Sequence, residues 1–238
     1  LLRHPESNTA GSVGGIIDQA TDKTRNVNLQ YYAQLNKSFF NDKFSADLKI
    51  GSAVNDFHTY TLAANGQGFL DPSLSTVNNV DPTKQRVVST VSQRRLVGVF
   101  GNLVLNYDDL LYLTVTGRND WTSTLPVANR SFFYPSAALS FNFTQLDALE
   151  GIKDVLSYGK LRASVAQVGK DAQPYSIVPA LLSQVSTGGG FGYGFTAPSP
   201  FLRPEMKTSY EVGTELKFFN DRLGFDATYY NSEAVDQI

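Results

Sequence analysis

The stretch LLYLTVTGRNDW, Leu110–Trp121, alternates apolar and polar side chains with a period of two. Leu111, Leu113 and Val115 fall on one side, and Tyr112, Thr114, Thr116, Arg118 and Asp120 on the other. Such a period belongs to a β-strand with two unlike faces. In a soluble sandwich the apolar face packs on a core. In an outer-membrane barrel it faces lipid, and the polar face looks into the lumen.

The same alternation recurs along the chain. Asn28–Phe39 sets Leu29, Tyr31, Ala33 and Leu35 against Asn28, Gln30, Gln34 and Asn36. Phe44–Val54, Arg95–Tyr107, Phe133–Phe143, Lys160–Val168, Ser209–Phe219 and Leu223–Tyr230 repeat the pattern. With the opening stretch these make about eight strands in an all-β, antiparallel arrangement.

Connection lengths alternate as well. Short turns fall at Asn41-Asp42, Asp108-Asp109 and Asn220-Asp221, and long links at Phe57–Gln93, Thr122–Phe132 and Gly169–Thr208. Outer-membrane barrels pair short periplasmic turns with longer outside loops. The intermediate link Gln145–Ser157 predicts a short helix, because Leu146, Leu149, Ile152, Val155 and Leu156 suit one helical face. Several alternating segments run about 10–13 residues, where globular strands average about 5–6 and tilted membrane strands need about 9–11. Aromatics gather at strand ends, among them Phe39-Phe40, Tyr107, Trp121, Phe132-Phe133-Tyr134, Phe218-Phe219 and Tyr229-Tyr230. Interfacial girdles of barrels look like this. The expectation is therefore a transmembrane β-barrel wall with Leu111, Leu113 and Val115 toward lipid.

Composition agrees. Charged residues make up 18% of the 238, below the roughly 25% of soluble domains. A net charge of -2 without a basic stripe argues against nucleic-acid partners. The absence of cysteine excludes disulfides and thiolate metal sites. No apolar run is long enough for a transmembrane helix, and LLRHPESNTAG lacks the basic start and apolar stretch of a signal peptide.

Three runs carry a family resemblance. TVTGRNDWTSTLPVANRSFFYPSAALSF (Thr114–Phe141), GKLRASVAQVGKDAQPY (Gly159–Tyr175) and LRPEMKTSYEVGTELKFFNDRLGFDATYYNSEAVDQI (Leu202–Ile238) resemble the SusC/RagA family of TonB-dependent outer-membrane transporters. The strong part covers Leu96–Ile238, and the earlier part agrees in pattern only. The resemblance implies about eight strands of a larger, plugged barrel of about 22. It also implies active import of a glycan or peptide across the bacterial outer membrane. The implied partners are a SusD-like surface lipoprotein lid, TonB acting through a plug, and outer-membrane lipid. The family's signal peptide, amino-terminal plug, TonB-contacting segment and final aromatic-ended strand are not recognisable here. Residues 1–238 are then expected to be one partial barrel domain, ending at Ile238 where the family continues into an outside loop.

Candidate site residues follow from the polar face and the loops. Arg118 and Asp120, with Trp121 beside them, are candidates for contact with a polar cargo; a wall charge pair or a loop anchor is the alternative. Tyr112 and Arg162 are further lumen candidates. Glu211, Glu215 and Lys217 form a charged row whose alternatives are a water-filled lumen or contact with a plug. The glycine-rich GGGFGYG (Gly188–Gly194) lacks the Lys-Ser or Lys-Thr of a phosphate loop. It is expected to be a mobile outside loop in which Phe191, Tyr193 and Phe195 stack on sugars, pack under a lid, or pack within the loop. His4 and His58 stand apart without companion ligands, so no metal, cofactor or catalytic set is expected. Two rivals remain at this point: a closed eight-stranded outer-membrane adhesin or anchor, in which Asn28–Phe39 pairs with Leu223–Tyr230, and a soluble carbohydrate-binding sandwich that buries Leu111, Leu113 and Val115.

Overall fold

A computed structural model describes residues 2–3, 14–179, 181–184, 190–193 and 198–237. The strands are β1 (Leu2–Arg3), β2 (Ile16–Phe39), β3 (Phe44–Gln67), β4 (Arg86–Tyr107), β5 (Leu111–Thr122), β6 (Ser131–Phe141), β7 (Leu156–Lys170), β8 (Leu181–Gln184), β9 (Gly190–Tyr193), β10 (Glu205–Phe218) and β11 (Leu223–Val235). Nine form one sheet in the order β1-β2-β3-β4-β5-β6-β7-β10-β11, while β8 and β9 pair separately. Every pairing whose register is defined is antiparallel. Apart from the inserted β8–β9 pair, neighbours in sequence are thus neighbours in space, as in an up-and-down wall. The expected all-β architecture is what forms.

Three expectations need correction, and one rival falls. The link expected over Phe57–Gln93 is about half strand, because β3 runs to Gln67 and β4 begins at Arg86. No α-helix forms in Gln145–Ser157. Instead there is a 3₁₀ turn at Asp147–Ile152, whose N-cap Leu146 offers no side-chain bond; so short an uncapped segment does not repay helix nucleation. The glycine-rich stretch is not wholly loop, since Gly190–Tyr193 pairs with Leu181–Gln184. Finally, β2 and β11 do not pair but lie toward opposite ends of the sheet order, which removes the closed eight-stranded barrel.

Two compact units divide the chain. The first comprises Leu1–Val27 and Asp56–Arg94. Here the residues from 68 to 85 fold back on themselves. Phe69 bridges Val80, and the Gly68 N–H donates to the Gly15 carbonyl at 3.0 Å. Gly68 has φ 76, a left-handed conformation that glycine adopts without a Cβ clash. The fully buried Val80 side chain sits against Gly66, where any Cβ would collide with it. Asp71 and Asp81 each accept from the backbone N–H and hydroxyl two residues on, Ser73 and Thr83 respectively, at 2.7–2.9 Å.

The second unit comprises Asn28–Asn55 and Arg95–Ile238. Its hairpins turn at positive φ: Phe40, Asn41 and Asp42 at 53, 56 and 68°, Asp108 and Asp109 at 53°, and Phe219, Asn220 and Asp221 at 56, 55 and 64°. Asn and Asp tolerate this region better than other residues. Backbone bonds staple adjacent connections together. The Asp108 N–H donates to Lys43 at 2.6 Å, Asn142 to Leu110 at 2.8 Å, and Phe219 to Val155 at 2.9 Å.

Register aligns like with like across this sheet. Leu105, Leu113, Leu139, Ala163, Val212 and Tyr229 form one cross-strand row, while Asn102, Thr116, Ser136, Ala166, Ser209 and Ser232 form another on the opposite face. The apolar face is uncovered: Val115 is 41% exposed, Leu139 44% and Val212 61%. Among the described residues no second layer packs on it, which does not favour a sandwich. From Leu111 to Trp121 the strand spans about 34 Å at about 3.4 Å per residue. Tilted by about 45°, that gives about 24 Å, the height of a barrel's apolar band.

Candidate functional site

The polar face of the second unit carries the chemistry, and glycines on this face let long side chains lie across strands. On β5, the Arg118 Nε donates to Asp120 Oδ1 at 2.8 Å, and from β6 the Tyr134 hydroxyl donates to Asp120 Oδ2 at 2.5 Å. Asp120 is only 3% exposed. Room for this knot exists because its β4 partner is Gly98, where a Cβ would collide with Asp120 and lie 2.6 Å from Arg118 Nη2. One step further, Thr122 and Thr124 donate to Asp171 Oδ2 at 2.5 and 3.0 Å. These bonds tie the start of the 123–130 link to the end of β7.

A small apolar cluster closes that end. Leu125, Phe132 and Ala172 are buried together, with Tyr134 and Leu202 packed against them. The Asn129 side-chain amide donates to the Phe201 and Leu202 carbonyls at 3.2 and 3.0 Å. Two connections are thus fastened to each other above β5 and β6.

A second polar cluster spans β7, β10 and β11. The Arg162 Nη2 and Nη1 donate to the two Asp226 carboxylate oxygens at 2.6 and 3.1 Å, and Nη2 also donates to the Thr228 hydroxyl at 2.6 Å. Glu215 and Lys217 approach to 4.0 Å, and the Lys217 ammonium lies 5.3 Å from the Tyr158 ring centre. Glu211 shares this face, between Ser164 and Tyr230 in register.

The candidates therefore separate. Arg118 and Asp120 come together; Arg162, Glu211, Glu215 and Lys217 form the other cluster. Tyr112 belongs to neither: its hydroxyl donates to Asp109 Oδ1 at 2.6 Å, clamping the short turn below β5. That bond, followed by one from Asn106, holds the Asp109 carboxyl below its usual range. Trp121, one residue after Asp120, points to the opposite face with Leu111 and Val115 and is 41% exposed. Phe191 and Tyr193 belong to β9, but their side chains lie outside the described residues, as do Phe195, His4 and the rest of the glycine-rich stretch.

Sequence reasoning missed Tyr134, Asp171 and Asn102. The first two join the clusters through loop lengths that alternation does not encode. Asn102 pairs with Thr116 in register, and its Oδ1 is buried with no hydrogen-bond partner among the described residues. Also among the described residues, no group of His, Cys, Asp and Glu is placed to hold a metal, and no helix is long and apolar enough to cross a membrane. The arrangement is suited to holding polar groups against a wall.

A family model described as TonB dependent receptor-like, beta-barrel matches residues 3–238. Two curated relatives come from Formosa agariphila. TonB-dependent receptor P26 is 27% identical, covering 79% of this chain and 19% of its own length. TonB-dependent receptor P3 is 24% identical, covering 98% of this chain and 24% of its own. The chain thus spans about a fifth to a quarter of the curated relatives it matches. Among solved structures, the RagAB peptide transporter superposes with a TM-score of 0.79 at 18% identity, over 92% of this chain and 25% of that one. The RagAB peptide importer in its closed-closed state gives 0.78 at 19% identity, over 92% and 24%.

Proposed function

Because the chain belongs to the TonB-dependent receptor β-barrel family, we propose that it forms part of the wall of an outer-membrane transporter importing a large nutrient. The cargo is a glycan or a peptide; one neighbour of known structure is a peptide transporter. A SusD-like surface lipoprotein covers the outer mouth, and TonB supplies the energy through a plug encoded elsewhere in the protein. The wall breaks no bond in the cargo.

The observation that carries this reading is the pair of unlike faces. An uncovered apolar face one bilayer high backs onto a face of Arg, Asp, Glu, Lys, Thr and Ser side chains. Lipid on one side and an aqueous lumen on the other satisfy both. In that placement Arg118, Asp120, Arg162, Glu211, Glu215 and Lys217 face the lumen and Trp121 sits in the interfacial girdle. The ends of β2, β3 and β4 in the first unit exceed the length a spanning strand needs and are extramembrane.

Deleting the complete gene tests the function. Growth on one polymeric nutrient is lost while growth on its monomer persists. Unchanged uptake of every polymer tried refutes import.

A further inference from the structure

The polar face of the second unit holds a groove of about 470 Å³, bordered by Lys49, Phe100, Asn102, Arg118 and Tyr134. That volume lies within the range of small-ligand sites, about 300–1,000 Å³. Its charge is one-sided, with two cations and no carboxylate on its lining. Lys49 has no ion-pair partner among the described residues; its ammonium rests 4.8 Å from the Tyr32 ring centre. Arg118 does have a partner, but Asp120 is withdrawn to 3% exposure and shared with Tyr134. The Arg118 side chain itself stays 33% exposed.

The remaining lining is equally specific. The Phe100 ring lies over Gly51, within 2.6 Å of where a Cβ would stand, so that glycine seats the ring. Tyr134 spends its hydroxyl on Asp120, which leaves its ring as a groove wall. Thr116 and Ser136 bond each other. The Asn102 Oδ1, by contrast, is a buried acceptor without a donor, and such an atom costs stability unless something donates to it.

Together these features describe what fits: a negative charge for the two cations and an apolar ring or stem for the aromatic walls. A carboxylate-bearing oligomer supplies both. We propose that this groove is an anion subsite that takes a cargo carboxylate, with Lys49 and Arg118 as its cationic contacts. The proposal rests on the import reading and narrows the cargo to acidic oligomers. A field of one sign in a partly desolvated groove both attracts and retains such a ligand.

The test uses the full-length protein in detergent and calorimetry with four probes. Two are carboxylated, hexagalacturonate and a Glu-rich hexapeptide; two are neutral counterparts, maltohexaose and the same peptide with Gln for Glu. One carboxylated probe should bind at least about tenfold more tightly than its neutral counterpart, and which one does so identifies the source as sugar or peptide. Lys49→Gln should remove that preference, Lys49→Arg should retain it, and raising salt should weaken it. Equal binding of charged and neutral probes overturns the subsite, as does a preference that Lys49→Gln leaves intact. Failure of all four probes to bind also overturns it. Loss of import in the deletion strain is read separately, so the subsite and the transport reading can fail independently.

Discussion

Arg162 on β7 passes over Gly213 of β10 and clasps both carboxylate oxygens of Asp226 on β11, at 2.6 and 3.1 Å. The ion pair therefore bridges two strands that do not touch. The intervening residue has to lack a side chain, since a Cβ at Gly213 would stand 2.7 Å from Arg162 Nε. Gly98 beneath Asp120 and Arg118, and Gly51 beneath Phe100, repeat the device. Glycine within a strand is tolerated where another group must approach closely.

Gly213→Ala should accordingly lower the urea midpoint of the folded barrel by displacing Arg162. In an Arg162→Ala background the same change should cost less, because the nearest obstructed group is gone and only the 3.1 Å approaches to the Ala227 carbonyl and the Thr228 hydroxyl remain. A double-mutant cycle on unfolding midpoints measures the difference. Additive effects of the two changes would refute the bridging role of the glycine.

Asp120 is the least exposed carboxylate of the polar face, and it is bonded from two strands. Removing it in Asp120→Ala leaves Arg118 without its counter-charge and Tyr134 without its acceptor. Breaking a fully buried pair costs about 3–5 kcal/mol; with Arg118 one-third exposed, solvent screening brings the expected loss to about 1–3 kcal/mol. Tyr134→Phe removes only one of the two bonds that Asp120 accepts and should therefore cost less than Asp120→Ala. Urea titration of both variants checks the ranking, and a neutral Asp120→Ala would show that the knot bears no strain of folding.

Two acidic residues in the residues from 68 to 85 give a pH signature. The Asp71 carboxyl is held below its ordinary value of 3.8 by its bonds from Ser73, and Asp81 by those from Thr83. A folded value below the unfolded one means the contribution is complete above that ordinary value. It is lost as pH falls through the lower folded value. Hydrogen exchange in this loop should therefore stay constant from neutral pH to about 4 and, after correction for intrinsic rates, accelerate below. Asp71→Asn with Asp81→Asn should flatten that response. An acceleration beginning near pH 6 would contradict the assignment.

Legibility in the sequence tracks how local each cause is. The faces of β5 were readable because Leu111, Leu113 and Val115 contrast with Tyr112, Thr114 and Thr116 at every step. The first half of β2 was not, because Asp18 to Asn26 is polar on both faces and alternation needs contrast to be seen. Nearness in the chain groups Trp121 with Arg118 and Asp120, whereas strand parity separates it from them. Asn41-Asp42 and Asn220-Asp221 mark the turns, yet the left-handed run begins one residue earlier, at Phe40 and Phe219. A bulky residue in that region is uncommon, so no local rule announces it. Asp171 joins Thr122 and Thr124 across more than forty positions, and only the folded register brings them together.

The assignment of faces itself is open to direct test at two adjacent residues of β5. Val115 lies near the middle of the Leu111–Trp121 run, on the face with Leu113 and Leu139, and is 41% exposed. Thr114 lies on the other face, opposite Val104 and Ala138. Val115 is exposed and Thr114 half-buried, so sterics alone predict the larger cost at Thr114. Lipid inverts that order. An arginine facing the bilayer midplane costs about 2–4 kcal/mol, whereas one facing an aqueous lumen keeps its hydration. Val115→Arg should therefore destabilise the barrel in liposomes by about that amount, with Thr114→Arg closer to neutral. In detergent solutions that hydrate the midplane more readily the gap should narrow, which separates a solvation effect from a packing effect. Equal costs in liposomes, or a larger cost at Thr114, would reverse the faces, and with them every residue placed here in the lumen.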